Sequence, residues 1–300
     1  MADTLPHRVA SRPIPVPGTR GGVIGWPFDD GRERSGRPGA VAEVAGVDGR
    51  PVTVQRAGRL EDGGCRHLLV WRAGPGWRMV SSGVLGGGLG ERHWVLNAQV
   101  RAGYGRLDPD AHLAELAAAQ GLVGPGVGLM TAAEVDACTW AEDGGVTAVV
   151  TTGIGVPTWA AEADEASTFA APRDSWAPGT INVLAVVPAA VADAGLVNLL
   201  ATATEAKVQA LLEAGRDCSG TPSDAVCVAV RTPVAGEPVE PFGGPRSHWG
   251  SRLARAVRAA VFEGAVLDRE RRAEWDGPPV HPATVPGCEL ADVLTGRGPR

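Results

Sequence analysis

Three hundred residues with 44% hydrophobic and 21% charged side chains and a formal net charge of −6 fit a globular chain with ample core. There is no basic excess of the kind that binds nucleic acid, and no apolar run approaches the about 18 residues that a membrane span needs. Prolines at 6, 13, 15 and 17 stand where a secretion signal would need an apolar core, so a cytoplasmic setting is expected.

In chain order, residues 1–38 are rich in Pro, Gly and Arg and read as an irregular arm. Residues 41–47 and 52–57 are strand-like and flank Asp48-Gly49, a hairpin signal. Residues 67–72 and 78–84 are expected to form a second pair around Gly74-Pro75-Gly76. Asp108-Pro109 opens a helix that runs to Gln120 and is closed by Gly121. The β-branched runs 146–152 and 181–187 read as buried strands. A helix over 196–214, a strand over 225–231 and a helix over 247–266 follow. Strand, long helix, strand is a crossover unit, whereas the early hairpins are antiparallel. The expectation is a single α/β (α+β) domain over 39–267, with a mixed or largely antiparallel sheet layered with helices. An irregular tail is expected over 268–300.

The cysteines, at 65, 138, 218, 227 and 288, are odd in number and lack a CxxC pair. That argues against a disulfide framework and a zinc knuckle, and each cysteine reads as a small core residue or bystander. No cofactor and no metal are expected.

Lys207 is the single lysine among 28 basic residues, so every other positive charge is Arg. A lysine amine titrates on burial where Arg does not. On a helical wheel Lys207 falls within roughly 20° of a stripe made by Leu196, Val197, Leu200, Val208 and Leu211. Thr204 stands beside it and Glu205 lies on the flank. An amine in such a stripe must be paired, line a polar pocket or snorkel.

Several corners join small residues to hydroxyls or carboxamides. Ser81 and Ser82 precede a glycine run that includes Gly87 and Gly88, whose free backbone N–H groups suit carbonyl or anionic oxygens. Asn97 and Gln99 are two apart and share a strand face. Thr131 follows Gly126-Val127-Gly128-Leu129-Met130, and Thr180 and Asn182 share a face at the entry to a strand. Asp224 closes Gly220-Thr221-Pro222-Ser223. His248 precedes the last helix. Nine tryptophans against one tyrosine offer flat area for a large ring.

Taken in order, these corners resemble the adenosylcobinamide amidohydrolase family. The resemblance is carried by Ser81-Ser82 with its glycines, Asn97-x-Gln99-Val100, Gly126 to Ala133, Gly179-Thr180-Ile181-Asn182, Thr202-Ala203-Thr204-Glu205-Ala206-Lys207 and Asp224-Ala225. It covers about residues 78–266. The family's usual His between the Asn and the Gln is Ala98 here. Its Asn-Ala after Gly155 is Val156-Pro157, and Ser223 replaces a preferred Thr.

The resemblance implies hydrolysis of the amide joining aminopropanol to the corrin side chain, giving adenosylcobyric acid in cobamide salvage. The partner is then a small-molecule corrinoid, with no nucleic acid and no membrane, and the oligomeric state is left open. Such chemistry needs an activated water, a proton for the leaving amine and donors for the oxyanion. Glu205 or Asp224 is expected as the base and Lys207 as the charge-stabilising or protonating group. Asn97, Thr180 and Asn182 are the expected oxyanion donors. Ser81, Ser82, Gly87, Gly88, Gln99, Thr131, Thr204 and His248 would contact substrate. Two other readings are a corrinoid-binding protein without turnover, favoured by Ala98, and a general amidase or aminopeptidase.

Overall fold

The structure, a computed structural model, describes residues 19–23, 41–47, 50–161 and 179–275. Its strands are β1 (Thr19–Val23), β2 (Val41–Val47), β3 (Arg50–Glu61), β4 (Gly64–Trp71), β5 (Trp77–Ser81), β6 (Gly88–Glu91) and β7 (Trp94–Gln99). Helix α1 (Pro109–Ala119) leads to β8 (Gly126–Thr131), β9 (Thr139–Asp143), β10 (Val146–Thr152) and β11 (Ile181–Ala190). Helix α2 (Asp193–Glu213), β12 (Ala225–Arg231) and α3 (His248–Trp275) complete the order.

These strands form two sheets, in the orders β1-β9-β10-β11-β12-β5-β6 and β2-β3-β4-β7-β8. Alternation along each strand explains why the sheets stack. On β11, Ile181, Val183 and Ala185 join the core under α2 and α3, while Leu184 and Val186 join the core between the sheets. On β7, Val95 faces between the sheets, whereas Leu96 and Ala98 pack with Leu113 and Ala117 of α1. The result is four layers: α1, the five-stranded sheet, the seven-stranded sheet, then α2 with α3.

Both sheets are mixed. Each contains one strand–helix–strand crossover with parallel strands, β7–α1–β8 and β11–α2–β12. The remaining pairings are antiparallel, including the expected β2–β3 hairpin; Asp48 and Gly49 lie outside the described residues. The α+β class is as expected, but the strands divide between two sheets.

Three local expectations are corrected. The runs 67–72 and 78–84 do not pair with each other: β4 joins β3 and β7, while β5 joins β12 and β6. The Gly74–Gly76 segment therefore carries the chain from one sheet to the other. The buried face of α2 is formed by Leu196, Leu199, Ala203, Ala206, Ala210 and Leu211, while Val197 is exposed. Alanines, which the wheel underweighted, let α2 lie close to the sheet. Finally, α3 runs to Trp275, past the expected start of the tail, and Asp268 is buried within it.

Candidate active site

One edge of the sandwich collects polar strand ends. Register places the C-terminal ends of β7 and β8 side by side, with Gln99 opposite Thr131. It also pairs the end of β10 with the start of β11, Thr151 opposite Asn182, and the start of β12 with the end of β5, Cys227 opposite Ser81. The sheets meet here through side chains. Asn182 Nδ2 donates to Asn97 Oδ1 at 2.9 Å and to the Met130 carbonyl at 3.1 Å, and Asn97 Nδ2 donates to Thr151 Oγ1 at 2.9 Å. All three side chains are buried. Among the described residues Asn182 Oδ1 has no partner, and it lines a narrow cavity between the sheets shared with Trp71 and Leu129.

The second polar group lies on the other face of the seven-stranded sheet, under α2. Lys207 is 6% exposed and pairs with Asp224 Oδ2. That oxygen also accepts from the Thr221 N–H at 3.1 Å, and Oδ1 accepts from Ile181 N–H at 2.9 Å and from Thr221 Oγ1 at 2.5 Å. Both oxygens thus accept two bonds, and the carboxylate ties α2 to the first residue of β11 and to the turn before β12. A Cβ on Gly220 would overlap both the Asp224 carboxylate and the Lys207 amine, so this turn needs glycine. Thr180 Oγ1 and Ser223 Oγ lie 2.7 Å apart and link the two strand entries.

The other expected residues divide between this edge and other surfaces. Ser81 Oγ accepts from the Gly83 N–H at 2.9 Å and Ser82 Oγ accepts from the Val226 N–H at 3.0 Å, so both brace the edge. The glycine run then packs along β8: Leu85 bridges Gly128, and Gly86, at φ 64°, has no room for a Cβ against the Gly126 carbonyl. Gly87 is exposed and Gly88 pairs with Ser81 in β6. Gln99 is buried, with Oε1 accepting from His67 N–H at 3.3 Å, and Thr131 Oγ1 accepts from the Ala133 N–H at 3.0 Å.

Glu205, Thr204 and His248 are not brought to the edge. Glu205 is exposed, and two residues of helix put it about 160° around α2 from Lys207. Thr204 is exposed and donates to the Leu200 carbonyl. Helix α3 begins beside the Gly144 turn, where Arg252 packs, and reaches Thr152 at the far end of β10 only with Gly264. Exposed His248 is therefore at the opposite end, about 24 Å away along the helix axis.

Several groups at this edge escaped the sequence reading. Arg56 donates to Asp136 through Nε and Nη2, each at 2.7 Å, and His67 Nδ1 lies 3.0 Å from Asp136 Oδ2. Cys65 Sγ is 3.6 Å from His67 Nε2. Burial alone would raise the Asp136 carboxyl, but its bonds from His67 and Arg56 outweigh that and hold it below the ordinary carboxylate range. The only advance signal was the alternation that puts Cys65, His67 and Leu69 on one face, because Asp136 arrives from a turn 69 residues further along. Trp159 is exposed next to Thr158, whose N–H donates to the Gly220 carbonyl at 2.9 Å. Asp268, which was assigned to the tail, accepts from Ile154 N–H at 3.3 Å and from Arg216 at 3.0 Å.

Ala98 faces α1 and not the gap between the sheets. A histidine there would point away from Asn97. The same layer holds buried His112, whose Nδ1 is 2.9 Å from the Tyr104 hydroxyl and whose Nε2 is 3.5 Å from Glu61. Glu61 in turn pairs with Arg59, which donates to the Gln99 carbonyl at 2.6 Å.

The family model described as adenosylcobinamide amidohydrolase matches residues 53–273. A protein of Methanosarcina mazei named adenosylcobinamide amidohydrolase is 31% identical over 197 residues, covering 64% of this chain and 91% of that one. A protein of the same name from Halobacterium salinarum is 40% identical over 99 residues, 33% of this chain and 40% of that one. A solved structure from Pyrococcus horikoshii OT3 covers 84% of each chain at 11% identity, but its TM-score of 0.38 is too low to carry an argument.

Proposed function

This chain belongs to the adenosylcobinamide amidohydrolase family, and we propose that it hydrolyses the amide joining aminopropanol to the corrin side chain, releasing adenosylcobyric acid for cobamide salvage. The observation that carries the reading is the match over residues 53–273, a span that takes in every polar strand end of the sandwich edge. Water is the only co-substrate this reaction needs, and no cofactor is assigned.

The edge suits such a substrate in two ways. Its floor, the Asn97–Asn182–Thr151 network, is held from both sheets and so fixes carboxamide dipoles before substrate arrives. Its rim offers the exposed hydroxyl of Ser223, backed by buried Thr180, to polar groups at the corrin periphery, and the indole of Trp159 to an apolar ring face. Asp224 is unsuited to act as the base, because both of its oxygens are already engaged. With Lys207 it acts by holding the strand entries in place. Glu205 faces away from this edge and takes no part in the reading.

The test is direct. Adenosylcobinamide incubated with the protein should yield free aminopropanol and a corrinoid acid in equal amounts, measured by mass spectrometry. Tight binding with no release would replace the hydrolase with a carrier, and equally fast cleavage of simple peptide amides would remove the corrinoid specificity.

A further inference from the structure

The network that joins the two sheets leaves one acceptor and one donor over. Asn182 is 1% exposed, and its Nδ2 gives its protons to Asn97 Oδ1 and to the Met130 carbonyl, 2.9 and 3.1 Å away. A backbone carbonyl only accepts, so the carboxamide cannot be turned over: its amino side must face Met130. That fixes Asn182 Oδ1 on the other side, where it lines the cavity between the sheets and has no partner among the described residues. Thr151, the cross-strand neighbour of Asn182, lines the same cavity. Its Oγ1 accepts from Asn97 Nδ2 at 2.9 Å, which leaves its own O–H proton to be given elsewhere.

Apart from these three polar side chains the lining is aliphatic, with the indole of Trp71. A buried carboxamide oxygen without a donor is costly, and native structures satisfy such atoms with an ordered water where no protein group reaches them. The cavity has the right size, about 20 Å³, above the roughly 10–15 Å³ that one water requires and too small for an organic ligand.

We propose that this cavity is a binding site for a single structural water, which donates to Asn182 Oδ1 and accepts the Thr151 hydroxyl proton. The bonds then close into a ring in which each member donates to the next: Asn182 to Asn97, Asn97 to Thr151, Thr151 to the water and the water back to Asn182. Bonds running in one direction around a ring polarise one another. Asn97 belongs to the five-stranded sheet, and Thr151 and Asn182 to the seven-stranded one. The water therefore completes a clasp between the sheets and holds both carboxamides in one orientation. The site does not depend on the amidohydrolase reading, since a protein that only binds corrinoid would hold the same water.

A crystal structure of the full chain at about 1.5 Å resolution should show a well-ordered water about 2.7–3.2 Å from both Asn182 Oδ1 and Thr151 Oγ1. A cavity without density would overturn the proposal, as would a Thr151 hydroxyl bonded directly to Asn182 Oδ1. In solution, oxygen-17 magnetic relaxation dispersion counts long-lived internal waters. Asn182→Leu replaces the acceptor with methyl groups, so the folded variant should hold one water fewer than the wild type. Equal counts in the two folded proteins would also overturn it. If Asn182→Leu does not fold, the wild-type density alone decides.

Discussion

Two carboxylates at one edge of the molecule, Asp224 and Asp136, are both held by cations, yet their surroundings differ in kind. Asp224 accepts from an ammonium, a hydroxyl and two backbone N–H groups, all nearly out of solvent. Asp136 accepts from Arg56 and from a histidine, with a third of its side chain exposed. The first has its acceptor sites filled and serves as a brace. The second is more open, and its histidine partner is also engaged by Arg56, whose Nη2 lies 3.0 Å from His67 Nε2. Burial and charge pairing therefore do not by themselves identify a reactive group; both carboxylates here hold separate chain segments together.

The largest effect should come from breaking the brace on the carboxylate side. Asp224→Ala leaves a buried ammonium and several donors without an acceptor, and should cost about 3–5 kcal/mol in urea unfolding. Lys207→Met leaves the carboxylate with its three other donors and should cost less, about 1–3 kcal/mol. A larger loss from Lys207→Met than from Asp224→Ala would contradict the reading of Asp224 as the hub.

On the inter-sheet side, Asn97→Leu strips the acceptor from Asn182 and the donor from Thr151, and should destabilise by about 1–3 kcal/mol in the same assay. The Asp136 carboxyl gives a pH signature. Its folded pKa is depressed by His67 and Arg56, so its contribution is present above the unfolded carboxylate pKa of about 3.9 and is lost as pH falls through the folded value. Stability measured from pH 5 downward should fall less steeply in Asp136→Asn than in the wild type.

The smallest effects should be at Glu205 and His248, both exposed and both away from the edge. Alanine at either should shift stability by no more than about 0.5 kcal/mol and should leave aminopropanol release unchanged. A large loss of turnover in Glu205→Ala would restore that carboxylate to the mechanism.

The local elements were legible in the sequence because period and turn chemistry are local. The β2–β3 hairpin, α1 between Pro109 and Gly121, and the crossover through α2 all follow from short-range pattern. So did the choice facing Lys207, which had to be paired, line a polar pocket or snorkel; which of these it does, pairing with Asp224, came only with the fold. Asn97 and Asn182 were picked out as carboxamides at strand ends, although nothing in the sequence said that they would bond to each other across the sheets.

Tertiary structure decided the rest. Whether neighbouring strands pair or part depends on which sheet each can bury against, and this is why β4 and β5 separate despite a turn between them. The face of α2 that is buried depends on a close approach that favours alanine over leucine, and that choice sent Glu205 to solvent. The Cys65–His67–Asp136 group exists only because β4 and the turn after β8 meet at the edge. Spacing along a chain carries no information about such a meeting; stacking two sheets supplies it.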